Sequence, residues 1–461
     1  MTGRAPRILI LGGGIAGLAA AWECHTQGQP ATVLEAQPRS GGVIRTDVDE
    51  GFVLDTGPDS FLATKPGAIE LCRELGLESR LIGMKPPRGA YVLRGDRLHA
   101  LPEGGAFGIA TRPGPFLRST LLSVPGKLRV ALEPLVPRRR TGEDESAGAF
   151  FRRRFGVEAA DRLAQPLLGG IHVGDLDRLS AAAVLPQLVG VERAGGSVLA
   201  ALARQSRRST AGGAFRSFPG GMATLVDALV AALPDGTVKH EATVAELRCA
   251  GRTWVVQTTD GATHDADVLV LAAPATVAGH WLAPVQATAA DLAAGIRYLS
   301  SAGVLAAYRD DQIGRPLRGS GYVSVPDPTG DRVLATSWLS NKWEGRAPRG
   351  FTLLRGFFGG AFDEAVLDSD DEALVALARA SWSRRFAVQG DPVLTRVVRW
   401  TQQSPQHDVG HAARIARFDE ALAALPAIAA CGSGFRAVGI PDVISDARAC
   451  TRQLLERWRA T

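Results

Sequence analysis

Three glycines at G-x-G-x-x-G spacing, Gly12, Gly14 and Gly17, stand between a four-residue apolar run and an alanine-rich stretch. The run Ile8 to Leu11 has no polar alternation and reads as a strand covered on both faces. The residues from Ile15 onward read as a helix. Gly12 permits the tight turn, Gly14 lets the backbone approach a pyrophosphate, and Gly17 lets helix and strand pack closely. The helix start aims free N–H groups and the positive end of its dipole at the phosphates. Ala31 to Leu34 supplies a second strand ending at Glu35, 23 residues past Gly12, where an acid accepts ribose hydroxyls. Ile15, Ala16 and Ala36 flank these positions and join them as candidate cofactor contacts. Strand, glycines, helix, strand and acid make one dinucleotide-binding unit. Two alternatives compete: a plain glycine-rich turn, and a secretory leader, since Arg4 and Arg7 precede the apolar stretch. The glycines break that stretch, and no small-residue cleavage site follows.

A chain of 461 residues is expected to hold two or three domains, and 46% apolar residues support a sizeable core. No uninterrupted apolar stretch is long enough to span a membrane. The net charge of +5 comes mainly from arginine, with only five lysines. There is no aromatic-basic alternation of the kind a single-strand binder needs, so no nucleic acid is expected. The cysteines, Cys24, Cys72, Cys249, Cys431 and Cys450, are scattered, odd in number and without metal spacing. They read as reduced thiols of a cytoplasmic protein. No internal repeat is apparent.

The nucleotide is NAD or FAD. Arg39, Gly41 and Gly42 form R-x-G-G directly after the first unit, followed by Val43. This resembles the second motif of amine oxidase-like flavoproteins, which runs beside the FAD diphosphate. DTGPDSF follows, and its turn at Gly57, Pro58, Asp59 and Ser60 offers exposed backbone to a flavin ring. Near the other end, a strand at Ile428 to Cys431 leads through Gly432, Val438 and Gly439 into a helix at Ile440 that runs to about Trp458. Pro441 and Asp442 suit its first turn, and its start can face the flavin pyrimidine edge. Asp265 to Ala275 is a candidate return strand. Val238 to Leu247 reads as another, with Val244 placed to pack on the adenine. The cofactor domain is thus expected to draw on both ends of the chain.

These segments, with QPLLGGIHVGD, FPGGMATLVDAL, SNKW and RWTQQSPQHDVGH, resemble the protoporphyrinogen/coproporphyrinogen oxidases of haem biosynthesis over nearly the whole chain. VGIPD and Lys65 are similar to the branch that oxidises coproporphyrinogen III. The departures are Thr64 in place of a common arginine, His172, His407 and Phe435 in place of tyrosines, and Ala437 and Val443 in place of glycine and cysteine.

The resemblance implies an α/β fold with a Rossmann-type FAD-binding domain built from 1–88, 212–275 and 396–461. It implies a substrate-binding domain from 89–101 and 276–395 that includes a mostly antiparallel sheet, and a helical insertion at 102–211. It implies non-covalent FAD, a porphyrinogen as substrate and oxygen as acceptor. Six electrons leave in three flavin cycles, yielding hydrogen peroxide. Trp400 would contact the flavin, Lys65 would hold a propionate, and Phe357 would pack on a ring face. Gly170, His172 and Gly174 would line the cavity. His407 and His411 lie four apart, but Pro405 and Gly410 argue against a regular helix, so packing beside the flavin is expected rather than a metal. In the insertion, prolines interrupt the apolar stretch before Arg138, Arg139 and Arg140, which is therefore expected to pack on its own protein; peripheral membrane contact stays open, as does monomer against homodimer. Protoporphyrinogen IX as substrate, amine oxidation, and flavin binding without turnover are the competing readings.

Overall fold

The strand Ile8–Leu11 lies at the centre of a five-stranded parallel sheet. The order across the sheet is Val238–Lys239, Ala31–Leu34, Ile8–Leu11, Val268–Leu271 and Ile428–Ala430. This computed structural model describes residues 5–102, 108–109, 112–139, 141–207, 213–324 and 330–460, so Arg4 and Arg140 lie outside the described residues. Alternation along the central strand assigns its two faces. Ile8 and Ile10 pack with the helices Ile15–Thr26 and Ile440–Ala460, whereas Leu9 and Leu11 face Trp254, Trp281 and Phe418. With both faces covered, an all-apolar strand is what burial requires.

A seven-stranded, mostly antiparallel sheet forms a second layer. Its order is Leu394–Pro405, Tyr298–Arg309, Phe351–Gly359, Ala335–Trp338, Gly321–Ser324, Ala90–Arg94 and Arg97–Ala100. Gly95, at φ 57°, turns the hairpin at its edge. In the helical insertion, Ser146 caps Ala147–Phe155 by accepting from Ala149 N at 3.1 Å. The chain then winds as a π-helix over Ala160–Gly169, where Pro166 lacks the N–H a regular turn would use.

Three expectations need correction. Val238 to Leu247 is not one strand: Glu241 turns the chain at φ 56°, leaving Val238–Lys239 in the parallel sheet and Val244–Ala250 in a three-stranded antiparallel one. Leu394–Pro405 belongs to the seven-stranded sheet, although the cofactor segment was expected to start at 396. The helices Ala275–Leu282 and Ala287–Ala294 fall within the expected substrate-binding domain 276–395 but pack against the parallel sheet.

The proline-broken stretch also differs from expectation. It forms Pro113–Arg118, Val124–Ala131 and a 3-10 turn at Glu133–Leu135. Leu117, Val124, Leu128, Leu132 and Leu135 point outward, 52–78% exposed, instead of packing on the protein.

Candidate functional site

Glu35, at the end of its strand, is nearly buried and held from two sides. Its Oε2 accepts from Gly13 N at 2.6 Å and its Oε1 from Gln37 N at 2.8 Å. The three motif glycines then separate by role. Gly12 sits at φ 110°, a conformation favouring glycine. A Cβ on Gly17 would lie 1.8 Å from Gly12 O, so helix and turn leave no room there. At Gly14 the nearest atom to an added Cβ is Gly42 Cα, 3.9 Å away. That position opens outward.

The R-x-G-G loop closes against this turn, with Gly41 N donating to Gly13 O at 2.8 Å. Arg39 is spent on its own loop, donating to Gly42 O at 2.7 Å and to Ile44 O at 3.3 Å. The third contribution comes from the turn before the last helix. Gly432 (φ 115°) donates its N–H to Asp446 Oδ2 at 3.1 Å, and its added Cβ would meet only Ala16 Cβ, at 3.5 Å. Gly439 (φ 89°) has nothing within 4 Å. Ile15 and Ala16 are buried behind these turns, while Ala36 and Val43 are exposed beside them. Val438 and Ile440 flank Gly439 at the start of the last helix. Backbone from three distant parts of the chain thus meets here, Gly42 beside Gly14 and Gly432 beside Ala16, with the space over Gly14 left open. Val244 is buried, its carbonyl accepting from Trp281 Nε1 at 3.3 Å.

The loop Asp55 to Ser60 is held by the seven-stranded sheet. Arg355 Nη1 donates to Asp55 O at 2.8 Å and to Gly57 O at 2.7 Å, and its Nη2 lies 3.6 Å from Asp59. Lys342 Nζ reaches both Asp59 oxygens at 3.0 Å, and Ser60 Oγ donates to Asp59 Oδ1 at 2.6 Å. Burial alone would raise the Asp59 pKa, but the two cations overcome it and hold the carboxyl well below the usual range. Asp55 pairs with the fully buried Arg346 at 2.8 Å; here burial prevails and pushes the carboxyl upward. An added Cβ on Gly57 would lie 1.8 Å from Val43 O, so Gly57 packs two cofactor loops together, with Pro58 following it. Trp400 Nε1 donates to Thr56 O at 3.1 Å. Its ring runs nearly parallel to Phe357, with centroids 6.3 Å apart and planes at 23°. Arg355 caps the Phe357 ring at 4.5 Å.

Lys65 is not a lone cation. It pairs with Asp442 in the first turn of the last helix. Gly170 and His172 form a single turn after the π-helix. Gly174 does not face outward: an added Cβ would strike Gln406 Oε1 at 2.4 Å, so this glycine serves packing. His407 and His411 stack at 3.9 Å and 12°. Each Nε2 meets a carbonyl of the turn after Ile428–Ala430, Ser433 O at 2.9 Å and Phe435 O at 2.6 Å. Among the described residues no group of three or more metal-ligating side chains converges.

The imidazole pair predicts acid lability. Burial, then the facing His411 ring, pushes His407 down to about 3, and burial lowers His411 as well. Both folded values lie below the unfolded value near 6.5, so their contribution is complete above that pH and is lost as pH falls. Each pH unit below it costs about 1.4 kcal/mol per group. Flavin fluorescence should rise as cofactor is released near pH 5 and stay quenched at pH 8. A His407→Gln variant should shift the release to lower pH; equal release at both pH values would refute the assignment.

Arg355, Lys342, Arg346, Asp446 and Gln406 were not singled out from the sequence. Arg355 carried a signal: one cation in the middle of a buried strand, TLLRGFF.

A family model described as flavin-containing amine oxidoreductase matches residues 15–455. The coproporphyrinogen III oxidase of Bacillus subtilis is 34% identical, covering 97% of each chain. That of Propionibacterium freudenreichii is 33% identical, over 97% of this chain and 90% of its own. A crystal structure from Exiguobacterium sp. 255-15, assigned as a protoporphyrinogen oxidase, superposes with a TM-score of 0.86 at 29% identity, over 98% and 99% of the two chains.

Proposed function

The chain belongs to the flavin-containing amine oxidoreductase family and, within it, to the porphyrinogen oxidases; from that premise we propose that it oxidises coproporphyrinogen III to coproporphyrin III in haem biosynthesis. It is an FAD-dependent oxidoreductase. The observation that carries the substrate class is the Phe357–Trp400 wall standing over the Asp55–Ser60 loop, a flat aromatic surface suited to a large apolar macrocycle. Bound FAD supplies the acceptor for the electron pairs. The protein's part is placement: Glu35 and the three glycine turns hold the dinucleotide, and Arg355 and Trp400 fix the loop against it. Asp59, Lys342 and Arg355 satisfy one another. Purified protein given coproporphyrinogen III and protoporphyrinogen IX side by side in air should develop porphyrin fluorescence faster with the first. Faster turnover of the second would reverse the substrate choice. Flavin bleaching by simple amines, without either porphyrin, would replace the reading with amine oxidation.

Lys65 supports the same choice, since a substrate with four propionates needs more positive charge than one with two. A desolvated charge-assisted contact is worth about 1.5–3 kcal/mol. Lys65 is 38% exposed and shared with Asp442, which reduces the expected effect. Lys65→Ala should raise KM for coproporphyrinogen III about three- to tenfold with FAD content unchanged. An unaltered KM would return Lys65 to a structural partner of Asp442.

The outward leucines carry the membrane contact. Leu117, Val124, Leu128, Leu132 and Leu135 lie beside exposed Arg118 and Arg138 and half-buried Lys127. An apolar patch with a basic rim suits an anionic lipid surface. No helix among the described residues is long and apolar enough to cross a membrane. The protein should float with phosphatidylglycerol vesicles and not with phosphatidylcholine ones, and Leu128→Asp with Leu135→Asp should abolish flotation. Equal recovery with both lipids would exclude this role.

A further inference from the structure

The turn that follows the π-helix is anchored at its backbone from two strands. Gln406 Nε2, just past Leu394–Pro405, donates to His172 O at 2.9 Å. Ala361 N, just past Phe351–Gly359, donates to Val173 O at 3.0 Å. These are the strands that carry Trp400 and Phe357. Between the anchors, Val173 sits at φ 56°, a left-handed conformation that a β-branched residue avoids. Such strain persists where the surroundings impose it, and it clusters at working sites. Both anchors hold the turn by its own carbonyls and leave its side chains out. The half-buried His172 imidazole makes no hydrogen bond to any described side chain or backbone group, whereas Asp59, Lys342, Arg355, His407 and His411 are all committed to partners.

We propose that His172 is the proton acceptor of the porphyrinogen reaction, its imidazole receiving the proton that leaves a ring nitrogen in each step. This rests on the porphyrinogen reading above. In each step a C–H bond at a bridging carbon breaks and its electron pair passes to FAD. An N–H bond breaks, its proton passes to the imidazole, and one double bond is added to the macrocycle. The imidazolium returns the proton to water before the next step. After three steps, a shift of the fourth bridging carbon's hydrogen to nitrogen completes the porphyrin, so three hydrides and three protons account for the six hydrogens lost. A weak base suffices, because loss of hydride leaves a cation whose N–H is acidic. The titratable groups facing His172 are Lys65, with its partner Asp442, and the neutral His407, with His411 stacked behind it. Burial and the Lys65 charge keep the imidazole neutral, with its pKa lowered to about 4.

The test uses the FAD-loaded full chain. His172→Phe should lower kcat on coproporphyrinogen III about 100-fold, within the range of general-base contributions. Flavin absorbance and KM should stay at parent values. Anaerobic flavin bleaching by the porphyrinogen should slow by the same factor, while reoxidation of dithionite-reduced flavin in air keeps the parent rate. Added imidazole should recover part of the activity in His172→Ala. His172→Gln, which retains hydrogen bonding without a base, should stay slow. Parent kcat in His172→Phe or His172→Gln overturns the proposal. Raised KM at parent kcat also overturns it, marking His172 as a propionate contact. A parent protein that oxidises no porphyrinogen removes the underlying reading, and the proposed role falls with it.

Discussion

Gly14→Val is expected to yield a folded, colourless protein. The prediction follows from the contrast between two glycines three residues apart. A Cβ on Gly17 would collide with Gly12 O at 1.8 Å, so substitution there damages the fold. A Cβ on Gly14 meets only Gly42 Cα, at 3.9 Å, so a side chain can leave the backbone there without the clash met at Gly17. It then occupies the space where backbone and pyrophosphate must meet. Affinity for FAD should fall by well over about 100-fold, as expected when at least 2.7 kcal/mol of phosphate contact is lost. Circular dichroism and the elution volume should match the parent, while absorbance near the flavin bands disappears. Full flavin content in this variant would show that the dinucleotide lies elsewhere.

Arg355→Met should be destabilising and should also release flavin. The buried guanidinium bonds to Asp55 O and Gly57 O and faces Asp59. Methionine conserves much of the volume but leaves two buried carbonyls without donors and Asp59 with Lys342 alone. Breaking a buried ionic group in this way costs about 3–5 kcal/mol. Urea unfolding of the variant should show the loss directly, and the Asp55–Ser60 loop should no longer hold the cofactor. Parent-like stability and flavin content together would mean that the loop is held by Trp400 and Lys342 without help from Arg355.

How much of this could be read in advance depended on distance along the chain. The unit from Ile8 to Glu35 is local: turn, helix start and strand are each specified by neighbouring residues, and the expected boundaries Ile8 to Leu11 and Ala31 to Leu34 match the structure. The turn at Glu241 was missed because nothing in VKHEATVAEL breaks a strand by composition. What bends it there is the pull of Glu241 N and Ala242 N toward Gln37 O and Glu35 O. The pairing of Lys65 gave no sign in the sequence because its partner Asp442 lies 377 residues away. The clamp on the Asp55–Ser60 loop was invisible for the same reason, since Arg355 arrives from 300 residues downstream. Exposure of Leu128 and Leu135 was misjudged because periodicity identifies an apolar face but not what covers it.

The three glycine turns are reached at very different times during synthesis. Gly14 and Gly42 leave the ribosome early, but Gly432 and Gly439 come after some nine-tenths of the chain. Until then the nascent parallel sheet lacks its edge strand Ile428–Ala430, and the apolar side of helix Ile15–Thr26 lacks the helix Ile440–Ala460 that covers it. A chain stalled before Ile428 therefore has neither the fifth strand of the parallel sheet nor the helix that covers Ile15–Thr26.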